Sequence, residues 1–368
     1  MLVQGRPYQT IWMDESDQDR ILYINQEVLP FEFRIEEMQS SADSYEMIRR
    51  MKVRGAPLIG VTAALGIYLA CLESTQQSEA QAYIKKQAAL IRAARPTAVN
   101  LAWAVDRMMK KIAIAADAEH IIQLARSEAL KIREEELQAS YMIGRHGMEI
   151  IKKISERKNG KPVNILTHCN AGWLACIDYG TATSPIYQAY EEQVPVHVWV
   201  DETRPRNQGG RLTAWELGQH GVPHTVIVDN AGGHIMQKGM VDLVLTGSDR
   251  TSRRGDVANK IGTYLKALAA RDNDIPFYVA LPISTIDFNI DSGINEIPIE
   301  ERDPDEVREM EGILDRKTVS VRILPEDSPV SNYGFDITPA RLVSGLITEK
   351  GISQACESEI LKLIKSGS

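Results

Sequence analysis

The chain lacks the spacings that mark metal, disulfide and nucleotide chemistry. Its four cysteines, Cys71, Cys169, Cys176 and Cys356, form no C-x-x-C pair. That argues against a zinc site or a disulfide framework and suits a reducing compartment such as the cytosol. No H-E-x-x-H or comparable ligand spacing occurs, so no metal is expected. No G-x-x-x-x-G-K-[ST] and no G-x-G-x-x-G after a strand occur, which weakens NTPase and dinucleotide readings. The expected cofactor set is therefore empty. The stretch Met1 to Thr10 has no signal-peptide core, and no run is read as a membrane-spanning helix, so no membrane partner is expected. Internal repeats and low-complexity tracts are also missing. Positive charge is in deficit: the net charge is −8. A nucleic-acid backbone is not the expected partner, although local basic pockets for a phosphorylated small molecule are compatible with it.

What is present is ordinary globular material. A chain of 368 residues, 43% hydrophobic and 25% charged, can bury a large core in about two domains. The chain is organised around Val163 to Gly172. Val163 to Leu166 reads as a short buried strand. It breaks into Thr167, His168, Cys169, Asn170, Ala171 and Gly172, and helical character resumes from Trp173. Cys169 is thus placed at the carboxyl end of a strand with a helix about to begin. In parallel sheets ligands bind in that crevice. A helix N-terminus there would favour the thiolate.

Upstream, residues 1 to about 35 read as a small β meander, with strands at Ile11 to Met13 and Ile21 to Ile24. Helices follow: from Ser41 or Asp43 to Val53, Leu58 to Leu72, Ser78 to Ala94, Leu101 to Ala115, and Glu119 to Arg157. Two breaks between them carry an arginine beside a proline, Arg54-Gly55-Ala56-Pro57 and Arg95-Pro96-Thr97-Ala98. Free amides at a helix start bind anions, and two guanidiniums could converge on one phosphate. The boundary between domains is placed at Arg157 to Lys161, giving domains 1–157 and 158–368.

From Val163 strands and helices alternate. Strands are expected at Val163 to Leu166, Val196 to Val200, Thr225 to Val228, Leu243 to Leu245 and Phe277 to Ala280. Helices are expected at Ala175 to Glu192, Leu212 to Gln219, Gly233 to Gly239 and Lys260 to Ala270. This βαβα order means an α/β fold with a doubly wound parallel sheet, completed by a strand at Val319 to Ile323 and a terminal helix. Polar or glycine-rich loops follow the strands: Asp201 to Arg211, Asp229 to His234, and Thr246 to Lys260. Asp249 follows an apolar strand and precedes Arg250, Arg253 and Arg254. Desolvation would raise its pKa and suit it to general acid work, whereas those arginines would lower it. Asn259 and Lys260, at the expected start of a helix, are phosphate-binding candidates. His168 is either a base or a hydrogen-bonded structural residue.

Seven stretches carry a resemblance. They are Val53-Arg54-Gly55-Ala56-Pro57, Arg95-Pro96-Thr97-Ala98-Val99-Asn100, Thr167-His168-Cys169-Asn170, Asp201-Glu202-Thr203-Arg204-Pro205, Arg211-Leu212-Thr213-Ala214-Trp215-Glu216-Leu217, Gly255 to Thr263, and Ile297 to Arg302. In this order they resemble the methylthioribose-1-phosphate isomerase family. That family lies within the larger one that includes the regulatory subunits of the exchange factor for initiation factor two. The resemblance implies Cys169 and Asp249 as the catalytic pair. It implies that Arg54, Gly55, Ala56, Arg95, Gln208, Asn259 and Lys260 contact the substrate. It implies a Rossmann-like second domain, a homodimer in the cytoplasm, and aldose–ketose isomerisation of a phosphorylated pentose in methionine salvage. Trp173, the segment Cys176-Ile177-Asp178 and Asn207-Gln208-Gly209-Gly210 depart from the family pattern, and Trp173 is expected to shape the apolar part of the pocket. These departures bear on the 5-substituent, which leaves 5-deoxyribose 1-phosphate as the close alternative. Ribose 1,5-bisphosphate and a non-catalytic regulatory role are the more distant ones. Proton relay and hydride shift both remain open as routes.

Overall fold

The computed structural model describes residues 1–14, 16–17, 19–95 and 99–366. The expected break at Pro96-Thr97-Ala98 lies outside the described residues. The amino-terminal strands β1 (Ile11–Met13), β2 (Ile21–Ile24) and β3 (Ile35–Met38) form an antiparallel meander in sequence order. Helix α1 (Ser41–Arg49) is capped by Ser40, one residue before the earlier of its two expected caps. Ser40 accepts from the Asp43 amide, and the Asp43 carboxylate accepts from the Ser40 amide, which satisfies orphan donors reciprocally.

Helix α2 (Ala56–Glu73) is apolar on every face, because helices pack around it. The stretch Ala56–Gln76 is in fact long and apolar enough to cross a membrane, with a mean hydropathy of 1.7, contrary to expectation. It is 89% buried inside the protein and serves as the central core helix. Helices α3 (Ala80–Arg92) and α4 (Val99–Ile112) pack on it, followed by α5 (Ala118–Arg157), a 40-residue helix about 60 Å long. The helix α5 is a shared wall. Ala125, Ala129 and Ile132 enter the helical core with α2, and Ile143, Met148, Ile151 and Ile154 enter a second core under the main sheet.

The chain turns at 158–160 and enters the main sheet. Its elements, in order, are β4 (Val163–His168), α6 (Ser184–Glu191), β5 (Val196–Asp201), α7 (Ala214–His220), β6 (His224–Ile227), α8 (Ala231–Gln237), β7 (Leu243–Thr246), β8 (Arg250–Ser252), β9 (Val257–Lys260), α9 (Thr263–Asp272), β10 (Phe277–Ala280), β11 (Phe335–Thr338), β12 (Gly345–Thr348), β13 (Gly351–Ser353) and α10 (Glu357–Ser366). The main sheet runs β13-β12-β10-β7-β4-β5-β6, parallel except for β13 at its edge. From β4 the chain builds outward through β5 and β6. It then returns to the other side of β4 with β7 and builds outward again. The winding direction therefore reverses between β4 and β7. Strands β8, β9 and β11, with the two-residue strand Ile286–Asp287 beside β8, form a separate small sheet.

Three expectations are corrected. No helix begins beside Cys169: a single 3₁₀ turn, Trp173–Ala175, is followed by loop, and regular helix starts only at Ser184. Tyr179 and Gly180 in left-handed geometry block an earlier start. Residues Asn259 and Lys260 end β9, and the next helix waits until after Gly262, whose φ is 99°. The strand Lys317–Arg322 does not complete the main sheet. It pairs with Glu309–Leu314 in a separate, largely exposed hairpin, and β12 and β13 fill the sheet instead.

Candidate active site

In an open parallel sheet the natural crevice lies at the carboxyl ends of the strands where the winding reverses. Here those strands are β4 and β7. The residue after β4 is Cys169, and the loop after β7 carries Asp249 three residues on. Both line one narrow cleft, together with Arg54, Arg95, Gln208, Asn259 and Lys260. The structure thus brings all the expected site residues together, including Gly55 and Ala56 at its wall.

Cys169 has φ of +64°, a left-handed conformation that few side chains adopt. Its backbone amide donates to Thr203 Oγ1 at 2.9 Å, and its carbonyl accepts from Thr213 Oγ1 at 2.6 Å. Its thiol donates to Gln208 Oε1 at 3.2 Å. Burial pushes the thiol pKa up, against the pull of Arg54 and Lys260. Burial is the largest of these influences, so the neutral thiol is the favoured form.

Burial also pushes the Asp249 carboxyl up, opposed by Arg95, Lys260 and Arg54. The arginines that follow it in sequence take no part. Arg250 pairs with Asp287 (3.1 Å through Nε), Arg253 with Asp291 at 2.9 Å, and Arg254 with Asp291 at 2.6 Å. The cations that act on Asp249 are Arg54 and Arg95 from the helical half and Lys260 at the end of β9.

One end of the cleft is built on the start of α2. Gly55, with φ of +93°, lets the chain turn into the helix, and a Cβ there would lie 2.5 Å from Ala175 Cβ. Arg54 is clamped by Asn170: Nη2 donates to its carbonyl at 2.7 Å and Nη1 to its side-chain oxygen. Arg95 shares Glu300 at 3.3 Å, and its Nε is buried without a partner. Lys260 Nζ lies 5.1 Å from the Phe335 ring, and burial pushes its pKa down. Asn259 Nδ2 donates to Thr263 Oγ1 at 3.0 Å.

His168 is engaged at both ring nitrogens, by Asp201 Oδ2 at 2.6 Å and the Ile261 carbonyl at 2.8 Å. It ties strand ends together and has no nitrogen left to act as a base. Trp173 does not line the cleft, contrary to expectation. It is 0% exposed and packs 6.2 Å from Trp215 in the core. Sequence reasoning missed the parts played by Asn170, Thr203, Thr213, Glu216 and Phe335. All but Phe335 sit inside motifs that were noticed. Glu216 accepts from the Leu174 amide at 3.2 Å, and burial lifts its pKa to about 7. Among the described residues, no three His, Cys, Asp or Glu side chains converge as metal ligands.

Comparison with known proteins places this geometry. The pattern described as the Initiation factor 2 subunit family matches residues 52–355. A methylthioribose-1-phosphate isomerase of Desulfatibacillum aliphaticivorans is 55% identical over 363 residues, covering 99% of this chain and 98% of that protein. The chain belongs to the methylthioribose-1-phosphate isomerase branch of the initiation factor 2 subunit family. The Brucella anthropi isomerase is 54% identical, with 96% of each chain covered. The crystal structure of 5-methylthioribose 1-phosphate isomerase from Pyrococcus horikoshii OT3 matches with a TM-score of 0.84 at 36% identity, covering 99% of this chain and 97% of that one. The subunit delta of translation initiation factor eIF-2B from A. fulgidus matches with a TM-score of 0.79 at 35% identity, covering 98% and 100%. One fold therefore carries both isomerase and initiation-factor names, so function must be argued from the site.

Proposed function

We propose that this protein converts 5-methylthio-D-ribose 1-phosphate to 5-methylthio-D-ribulose 1-phosphate, with Cys169 and Asp249 as its catalytic residues. The observation that carries the reading is the meeting of that thiol and carboxyl, from the two strands at the winding reversal, with three buried cations. Arg54, the first-turn amides after Gly55, Arg95 and Lys260 hold the phosphate. Asn259 and Gln208 line the sugar's path.

The substrate's anomeric oxygen is esterified, so the ring cannot open by itself. A neutral Asp249 carboxyl gives its proton to the ring oxygen as the C1–O bond breaks, leaving positive charge at C1. Hydrogen then leaves C2 for C1 with its electron pair, and the C2 hydroxyl becomes a carbonyl. The proton it releases returns to the Asp249 carboxylate, so the enzyme ends as it began. The neutral Cys169 thiol is a poor base for lifting a proton from C2, which favours the hydride route over relay. A dry cleft protects the cationic species. The cleft is narrow, with about 30 Å³ of free volume between its walls.

The 5-substituent is read as apolar. Met51 and Cys176 line the cleft. Arg206 and Arg211, which line a small neighbouring hollow with Met51 and Gln208, are held by Glu306 at 2.8 Å and Glu311 at 2.7 Å, and Arg302 is held by Glu300 at 2.8 Å and Glu306 at 2.6 Å. A second phosphate would have to displace those carboxylates. The same reading assigns residues 1–157 and 158–368 as two domains, the second Rossmann-like in its strand order. It takes the protein as a cytoplasmic homodimer. Val226 and Val228 at the sheet edge, with Leu265 and Leu268 on α9, are exposed apolar side chains that a second copy would cover.

The test is one set of rates on methylthioribose 1-phosphate, 5-deoxyribose 1-phosphate and ribose 1,5-bisphosphate, with deuterium at C2. The first should be turned over fastest and the bisphosphate slowest, with deuterium kept at C1. A faster bisphosphate rate would overturn the substrate assignment. Loss of the label to water would overturn the hydride route.

A further inference from the structure

We infer that Thr213 is a positioning residue whose single hydroxyl couples the thiol of Cys169 to the phosphate-binding guanidinium of Arg54. The inference rests on the roles given to those two residues above. Cys169 is held in left-handed geometry, and such a residue persists only where its surroundings over-determine it. Two threonines do this, one at each peptide group. Thr203 Oγ1 accepts from the Cys169 amide at 2.9 Å, and Thr213 Oγ1 donates to the Cys169 carbonyl at 2.6 Å.

The Thr203 hydroxyl turns otherwise to the Asp201 carbonyl at 3.3 Å and His168 Nδ1 at 3.4 Å; of the two threonines, only Thr213 reaches Asn170. Its oxygen also accepts from Asn170 Nδ2 at 3.1 Å, which fixes the Asn170 amide. The side-chain oxygen and carbonyl of Asn170 are the two acceptors for Arg54. A hydroxyl has one proton, so the roles are determined: the proton goes to Cys169, and a lone pair meets Asn170. Thr213 is 1% exposed and Thr203 2%, so no water replaces a lost hydroxyl without rearrangement. The local backbone explains the aim. Gly209–Thr213 is one π-helical turn ahead of α7, an irregularity that often marks functional sites. The same turn follows Gln208, which receives the thiol proton. One irregular turn therefore sets the thiol from two directions and the arginine from one.

The difference between the threonines gives the test. Thr213→Val keeps the shape and leaves the Cys169 carbonyl and the Asn170 amide without this partner. It should lower kcat by roughly tenfold to a hundredfold, as small misplacements do, and raise KM because Arg54 slackens. Thr203→Val removes the bond to the Cys169 amide and the contacts to Asp201 and His168 but none to Asn170, and should lower kcat with KM within about twofold of normal. Thr213→Ser keeps the hydroxyl and should return both constants to within about threefold. If Thr213→Val does not fold, Thr213→Ala against Thr213→Ser carries the same comparison.

A second readout is independent of turnover: the rate of Cys169 alkylation by iodoacetamide across pH, followed by peptide mass. A loosened thiol should react at least about threefold faster at neutral pH. A folded Thr213→Val protein with normal kcat, KM and alkylation overturns the proposal, as does a Thr213→Ser protein as impaired as Thr213→Val. If alkylation changes and turnover does not, Thr213 still positions the thiol, and the catalytic assignment of Cys169 fails instead.

Discussion

Two hollows meet at Arg95, which lines both of them. The larger holds about 920 Å³ between α4, α5 and the loop after β10. The smaller, with about 30 Å³ free, is the cleft of Cys169 and Asp249. Size alone would favour the larger one as the binding site. Charge pairing reverses that choice. Around the larger hollow, Arg250 is matched by Asp287 and Arg92 by Asp106, and the carboxyls are in excess at Glu136 and Glu349. In the cleft, Arg54 bonds to a neutral amide and Lys260 faces an aromatic ring. Neither makes an ion pair among the described residues. Buried cations without counter-ions are costly, and a phosphate would supply the missing charge. On the proposed reading, unmatched charge in a tight space marks the site better than volume does.

The strongest way to break this comparison is to remove the reacting groups. Asp249→Asn should lower kcat at least about a hundredfold, the low end for general acid–base help, and Cys169→Ser should lower it by a comparable factor. Circular dichroism should show the fold unchanged. The double variant should be little worse than the worse single one, because groups that act together are not additive. Near-normal kcat in a folded Asp249→Asn protein would remove that carboxyl from the mechanism.

The next contrast sets one arginine from each hollow side by side. Arg54→Ala should raise KM by about tenfold or more, the loss of a charge-assisted pair. Arg250→Gln, whose partner is a carboxylate, should leave KM within about twofold, since no ligand charge depends on it. Equal effects in steady-state kinetics would mean that charge pairing does not distinguish the two hollows.

The smallest effect is on stability. Burial lifts Glu136, in the wall of the larger hollow, to about 7. The folded protein therefore keeps this proton where the unfolded chain gives it up. The resulting stabilisation is complete below about pH 4.5 and is lost as pH rises to about 7. Its size across that range is roughly 2 to 4 kcal/mol. Glu136→Gln should flatten this fall, so that its melting temperature exceeds the parent's above pH 7 by a few degrees. An unchanged pH slope in thermal melts would show that Glu136 does not carry it.

Much of the architecture was legible because it rests on local signals. Short β-branched runs gave β4, β5, β7 and β10 nearly to the residue, and both Cys169 and Asp249 could be placed at strand ends. What failed depended on tertiary surroundings. The apolar stretch after Gly172 has the composition of a helix, but its side chains are buried from all sides as irregular chain, so periodicity misled. Trp173 looked like a pocket wall because it is near Cys169 in sequence, yet it turns into the core. The arginines after Asp249 are neighbours in sequence and are drawn away by Asp287 and Asp291. Phe335, which underlies Lys260, is far along the chain and carries no motif that points to the cleft. Spacing shows which residues are buried, not what they are buried against.

The reversal of winding between β4 and β7 also sets when the site can exist during synthesis. A chain emerging from the ribosome presents Arg54 first, then Arg95, Cys169 and Gln208, and only afterwards Asp249, Lys260 and Phe335. Strand β4 pairs β7 as well as β5, so the crevice has only one bank until β7 arrives. Its aromatic floor comes later still. Domains generally fold from the amino terminus during translation, and here the early segments hold the contacts of Cys169 and Arg54 but none of those made by Asp249, Lys260 or Phe335. A chain released early would carry the thiol and the first arginines without the carboxyl, the lysine or the ring. Such nascent fragments hold a reactive group that the mature protein shields, and they have no turnover to show for it.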